Sequence, residues 1–178
     1  MTRGIGRMSL ALTGDEIRGL LGAMPPLVEG MVRVDEQVQP NGIDLTLKEI
    51  AMFSSAGSIG YGNEVRILSD TLPLVFDGLE TIDLSPGCYQ ITYNEIVHLP
   101  NDIMALALPR SSLLRCGVSI HTAVWDAGYS GRSQSLMVVY NPYGLRLYRD
   151  ARIIQLIFFR LSHKVDQGYK GTFQGENI

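Results

Sequence analysis

Cysteine is nearly absent: Cys88 and Cys116 are the two thiols in 178 residues. Such a pair reads as free, buried thiols of a reducing cytosol rather than as a disulfide frame. Long apolar runs are missing too. No stretch approaches the ~20 residues that span a bilayer. Residues 1–12 carry Arg3 and Arg7 but too short an apolar run for a signal peptide. The expectation is a cytoplasmic protein with no membrane contact. Charge is sparse, at 19% of residues, with a net value of −3. A nucleic-acid partner, which favours a basic face, is therefore not expected. The three histidines, His98, His121 and His163, form no metal-binding spacing with the cysteines, which argues against a zinc deaminase. Repeats and low-complexity linkers are also lacking. What is present is an apolar share of 46%, enough for a real core in one domain.

Thr13 followed by Glu16 has the form of a capping box opening a short helix, which Pro25 and Pro26 end. From Val32 onward, short runs rich in Val, Ile, Tyr, Leu and Thr alternate with Gly, Pro, Asn, Asp and Ser breaks. This pattern predicts strands at 44–53, 80–84, 88–93, 104–108, 117–120, 135–140, 145–147 and 153–161. Many short strands at near-regular spacing favour a sandwich, jelly roll or barrel. Residues 54–63, punctuated by Gly57, Gly60 and Gly62, read as a loop or flexible hairpin. The chain divides into an N-terminal segment with a short helix (1–37), an all-β body (38–162) and a mobile tail (163–178).

Two stretches carry the chemistry. Pro109-Arg110-Ser111-Ser112-Leu113-Leu114-Arg115 packs two guanidiniums and two hydroxyls into six residues, the groups needed to hold a polyphosphate. Read alone, it is also an ordinary surface helix start. Ala123-Val124-Trp125-Asp126-Ala127-Gly128-Tyr129 sets one carboxylate between an apolar run and a Gly-Tyr turn. A carboxylate near a phosphate-binding segment suggests metal binding or water activation, although an Asx turn before Gly128 accounts for Asp126 as well. Trp125 is expected to fill core. Gln155 stands in an otherwise apolar strand, where a buried amide needs partners.

Together these stretches resemble the dUTPase and dCTP deaminase superfamily, and further segments agree in order. Asn41-Gly42-Ile43-Asp44-Leu45 resembles its first motif, and Arg152-Ile153-Ile154-Gln155-Leu156-Ile157 its fourth. Pro86-Gly87-Cys88-Tyr89 with Glu95 resembles the strand pair before the phosphate motif. The tail Gly168-Tyr169-Lys170-Gly171-Thr172-Phe173-Gln174-Gly175 resembles that of the deaminase-like branch, with Phe173 at a Tyr position. The resemblance spans roughly residues 38 to 175. It implies an all-β, distorted β-barrel or jelly roll with one or two short helices, assembled as a homotrimer with active sites between subunits.

The implied reaction is dUTP to dUMP and pyrophosphate. Asp126 deprotonates the water that attacks the α-phosphorus. Arg110, Ser111, Ser112, Arg115, Gln155 and Lys170 address the phosphates, at the N-terminus of a helix opened by this segment. Tyr129 packs under the deoxyribose, and backbone groups of a hairpin at Ser119, Ile120, His121, Thr122, Ala123 and Val124 read the base. Phe173 and Gln174 close over it from the tail. Asp44 meets a triphosphate-bound Mg²⁺ through water, since Mg²⁺ takes few protein ligands.

Deaminases of the family carry a proton-shuttling glutamate in a Leu-Glu-Phe-Tyr-Asn-like run. Here Leu136-Met137-Val138-Val139-Tyr140-Asn141 puts Val138 at that position, and no carboxylate lies between Asp126 and Asp150. Such proton transfer contributes about 10²- to 10⁴-fold in rate. The departure favours dUTP hydrolysis over dCTP deamination or a bifunctional enzyme. A non-catalytic nucleotide-sensing module is the remaining alternative, and it predicts loss of Asp126 or of the arginine-serine segment, which are both present.

Overall fold

A computed structural model describes residues 10–178; Arg3 and Arg7 lie outside them. In chain order the elements are α1 (Gly14–Leu21), β1 (Val28–Glu29), α2 (Val34–Gln37), β2 (Val38–Gln39) and β3 (Gly42–Phe53). A 3-10 turn (Asn63–Val65), β4 (Thr71–Pro73), β5 (Thr81–Leu84), β6 (Gly87–Tyr93), β7 (Ile96–His98) and β8 (Ile103–Pro109) follow. Then come α3 (Ser111–Arg115), β9 (Val118–His121), β10 (Ser130–Gly131), β11 (Gln134–Val139), β12 (Leu145–Tyr148) and β13 (Arg152–Arg160). The all-β architecture expected from the sequence is present. The three α-helices exceed the expected one or two, because α2 is a single four-residue turn with no periodic signature.

The main antiparallel sheet runs β8-β13-β3-β6-β11-β9, with β2 and β4 added to β3. β3 joins its two halves. Residues Ile43 to Thr46 pair with β13, and Leu47 to Met52 pair with β6 after an irregularity between Leu47 and Glu49. The sheet's edges approach one another. Ala105 of β8 exchanges two backbone hydrogen bonds with Trp125, at 2.9 and 3.0 Å, so the sheet nearly closes into a barrel. Closure removes edges that would otherwise pair with other chains. Two small sheets, β1-β7-β10 and β5-β12, flank it.

Alternation builds the core. Ile43, Leu45, Leu47, Ile91, Tyr93, Met137, Ile154, Leu156 and Phe158 are fully buried, each contributing roughly 1.5–3 kcal/mol of transfer free energy where aliphatic. The same alternation corrects the expectation for the thiols. Tyr89, Ile91 and Tyr93 point inward, so Cys88 points out; Cys116 follows α3 at the surface, and both are exposed. Beneath the N-terminal segment lies one polar cluster. Glu95, wholly buried, accepts from Gln37 Nε2 at 2.6 Å, Thr46 N at 2.9 Å and Thr46 Oγ1 at 2.7 Å. Burial lifts its pKa above the ordinary value, against the pull of these donors. The Thr13–Glu16 capping box of α1 forms as expected. Among the described residues no helix is long and apolar enough to cross a membrane.

Candidate active site

Asp126 follows directly on Trp125, whose ring is buried and whose Nε1 donates to Ser133 Oγ at 2.8 Å. The expectation that Trp125 fills core holds, and this anchor leaves Asp126 exposed at the mouth of a cavity of about 600 Å³. Asp126, Tyr129, His121, Ala123, Val124 and Phe173 all line it, bringing together residues the motifs spread over more than fifty positions. Ser119, Ile120 and Thr122 do not line it. Ile120 faces the core, Ser119 pairs with Val138, and Thr122 Oγ1 donates to Ala107 O at 3.5 Å. They shape the hairpin from behind.

The loop from Asp126 to Arg132 needs Gly128, whose φ of +84° favours glycine. A Cβ there would meet Gly168 Cα at 2.5 Å, so two glycines let the tail lie directly on the loop. The tail then runs alongside it. Tyr169 N donates to Ala127 O at 2.8 Å, Gly175 N to Ser130 O at 2.8 Å, and Arg132 N to Glu176 O at 2.9 Å. Gln174 uses both ends of its amide on this loop, accepting from Ser130 N at 3.0 Å and donating to Gly128 O at 3.1 Å. Phe173 lines the cavity; Lys170 is exposed and donates to Gln167 Oε1 at 3.2 Å. The tail that shows no apolar periodicity is thus tied to the loop through backbone groups, which periodicity does not report.

Tyr129 is buried and stands edge-on to Tyr169, with centroids 5.7 Å apart. Its hydroxyl donates to Glu176 Oε1 at 2.7 Å. Burial, then the adjacent carboxylate, pushes the phenol's pKa well above the ordinary value, and burial also lifts that of Glu176. Glu176 lines the cavity, making it a second carboxylate beside Asp126 that the sequence reading missed. On β11, Gln134 and Leu136 line the cavity, and Val138 shares their face by the two-residue period of a strand. No proton carrier stands there.

The arginine-serine segment lies elsewhere on the chain. Arg110 is the N-cap residue of α3 but makes no capping side-chain bond, its Nη1 donating to Arg152 O at 3.4 Å instead. Ser111 and Ser112 are exposed at the first turn, so the first N–H groups are left for solvent or ligand. Arg110 Nε stands 3.2 Å from Asp44 Oδ2 and Arg152 Nη1 stands 3.5 Å from it. Asp44 is buried on β3, opposite Gln155 of β13. Burial raises its pKa, against the two guanidiniums. The Gln155 side chain makes no hydrogen bond within the described residues, and Arg115 is exposed. None of these residues lines the Asp126 cavity. Trp125 faces Ala105, and the five residues from there to Arg110 span roughly 17 Å of strand.

Among the described residues no three His, Cys, Asp or Glu side chains gather into a metal site. Asp44 carries two arginines and an Oδ2 with no aligned hydrogen bond. That donor set does not make a protein cage for a cation, and the charge of the carboxylate is already faced by the two guanidiniums.

The model of the family described as dCTP deaminase-like matches residues 11–161. A probable deoxyuridine 5'-triphosphate nucleotidohydrolase of Methanosarcina mazei is 49% identical over 166 residues, 93% of this chain and 97% of that protein. The counterpart of Archaeoglobus fulgidus is 46% identical over 167 residues, 94% of this chain and 97% of its own. Among solved structures, the 2'-deoxycytidine 5'-triphosphate deaminase of Agrobacterium tumefaciens superposes with a TM-score of 0.67 at 25% identity. The match covers 88% of this chain and half of that one.

Proposed function

We propose, from a chain that belongs to the dCTP deaminase-like family, that this protein hydrolyses dUTP to dUMP and pyrophosphate in the cytoplasm. One observation carries the reading. A single cavity offers Asp126 at its mouth, Tyr129 in its wall and Phe173 from the tail, while Val138 leaves the deaminase proton-shuttle position without a carboxylate. The relatives at 46–49% identity bear the same activity in their names.

In this reading Asp126 accepts a proton from the water that attacks the α-phosphorus, and pyrophosphate leaves. Tyr129 supports the deoxyribose and excludes a 2'-hydroxyl. The backbone of the 119–124 hairpin meets the uracil edge at His121, Ala123 and Val124, the three of its residues that line the cavity. Arg110, Ser111, Ser112, Arg115 and Gln155 hold the phosphates. Separated from Asp126 by roughly 17 Å of strand, they serve a neighbouring protomer's cavity in a homotrimer rather than their own. Lys170 joins them from the tail. Asp44 would meet, through water, a Mg²⁺ carried by the triphosphate, which when bound would supply charge neutralisation at the phosphate oxygens.

The test is turnover of purified protein with Mg²⁺, scoring pyrophosphate and ammonia. Pyrophosphate from dUTP, and far less from dCTP, dTTP or UTP, is expected. Equal turnover of UTP removes the sugar role of Tyr129. Ammonia from dCTP establishes the deaminase alternative, with Glu176 as the cavity's second carboxylate.

A further inference from the structure

The segment between β3 and β4 is a ragged hairpin rather than a loose loop. Ser58 and Ile67 exchange backbone hydrogen bonds of 2.8 Å in both directions, Ser54 N donates to Asp70 O at 2.8 Å, and Asp70 N to Ser55 Oγ at 2.8 Å. This arm reaches the cavity through Leu68, which forms part of the wall beside Phe53 at the end of β3. It also presents Arg66. The Arg66 guanidinium has no acidic partner among the described residues. Its Nη2 donates to Thr172 Oγ1 at 2.5 Å, and its Cζ sits 5.7 Å from the centre of the Phe173 ring. The contact joins residues more than a hundred positions apart, the hairpin on one side and the tail on the other.

A cation over one face of an aromatic ring fixes that ring's position and leaves the opposite face for stacking. The guanidinium is suited to this, since it stacks flat and donates sideways at once. We propose that Arg66 is a positioning residue for the reaction. By gripping Thr172 and Phe173, it holds the Phe173 ring over the cavity, so that the 54–70 arm and the tail close the site as one unit. The inference rests on the reading of Phe173 as the group that covers the nucleotide, and it adds a residue that no motif marks. Arg66 touches no reacting atom; it acts through Phe173.

A double-mutant cycle tests it, with kcat and KM for dUTP and affinity for a non-hydrolysable dUTP analogue. Arg66→Ala should lower kcat about ten-fold, the sum of one cation–π contact and one hydrogen bond, with a smaller loss of analogue affinity and an unchanged unfolding temperature. Arg66→Lys keeps charge over the ring and should fall between. Thr172→Val removes the hydrogen bond alone and should resemble Arg66→Lys. In a Phe173→Ala background, Arg66→Ala should cost less than about two-fold, because the ring it positions is gone. Full activity of Phe173→Ala would refute the covering role of that ring. A damaging Phe173→Ala combined with a silent or fully additive Arg66→Ala would overturn the role of Arg66 and leave that of Phe173 standing.

Discussion

Tyr129 and Glu176 share one short hydrogen bond, 2.7 Å from phenol to carboxylate, and it ties the wall of the cavity to the tail. Burial raises the pKa of Glu176 above its ordinary 4.5 while the tail is docked. A released tail restores the ordinary value. The docked state therefore holds the proton more tightly, and docking is strongest below the ordinary carboxylate range and weakens as pH rises through the raised value. Glu176→Gln keeps an acceptor for the phenol and removes the charge. Amide hydrogen exchange of residues 174–177, corrected for intrinsic rates, should lose its pH dependence in that variant. An identical pH response in both proteins would exclude Glu176 as its source.

Asp126→Asn should lower kcat by about 10² or more, since the cavity's other carboxylate, Glu176, is engaged by the Tyr129 hydroxyl. Affinity for a non-hydrolysable dUTP analogue should stay within a few-fold, because binding depends on other groups. Near-normal turnover would return Asp126 to a turn residue.

Asp44→Asn removes the charge that Arg110 and Arg152 face. Two guanidiniums are left without compensation and Arg110 loses the group that orients it. Stability should drop by about 2 kcal/mol, below the 3–5 kcal/mol of a fully buried pair because both arginines are partly solvated. KM for dUTP should rise about ten-fold. Urea unfolding and steady-state kinetics read the two effects separately, and a variant changed in stability alone would show that Arg110 needs no orientation.

Deleting residues 168–178 should leave the barrel and the proposed assembly intact, since the tail is held mainly by hydrogen bonds and Tyr169 alone of its residues packs against the core. Turnover should fall sharply and analogue affinity less, because closure positions the phosphate chain and excludes bulk water. Full activity in the truncated protein would mean the cavity works open.

Glu95→Ala strands three donors, from Gln37 and Thr46, in a dry interior. A loss of about 3 kcal/mol is expected, against a smaller one for Glu95→Gln. Thermal unfolding of both variants measures this, and equal melting temperatures for the three proteins would contradict it.

What the sequence made legible follows from period and motif. The eight expected strands correspond to β3, β5, β6, β8, β9, β11, β12 and β13, shifted by two residues at most, because each alternates long enough to show a face. β1, β2 and β10 have two residues apiece and no period to read. β7 ends in His98, which interrupts its apolar run. The cavity residues of the Asp126 loop were legible as motif. Arg66 and Glu176 were not, since each gains its meaning from a partner brought close only by the fold: Thr172 across 106 positions and Tyr129 across 47. Cys88 could have been read correctly, for it alternates with the buried Tyr89 and Ile91.

The stretch of β8 between Ala105 and Arg110 works as a ruler as well as a strand. In the proposed reading it holds the base, Asp126, and the phosphate grip around Arg110 of one polypeptide apart by roughly 17 Å of strand, the spacing that assigns them to different nucleotides. In the proposed arrangement a lone chain is two useful halves with nothing to do. Catalysis becomes a property of concentration: dilute the protein past the point where its copies part, and a fully folded population goes silent without a single residue having changed.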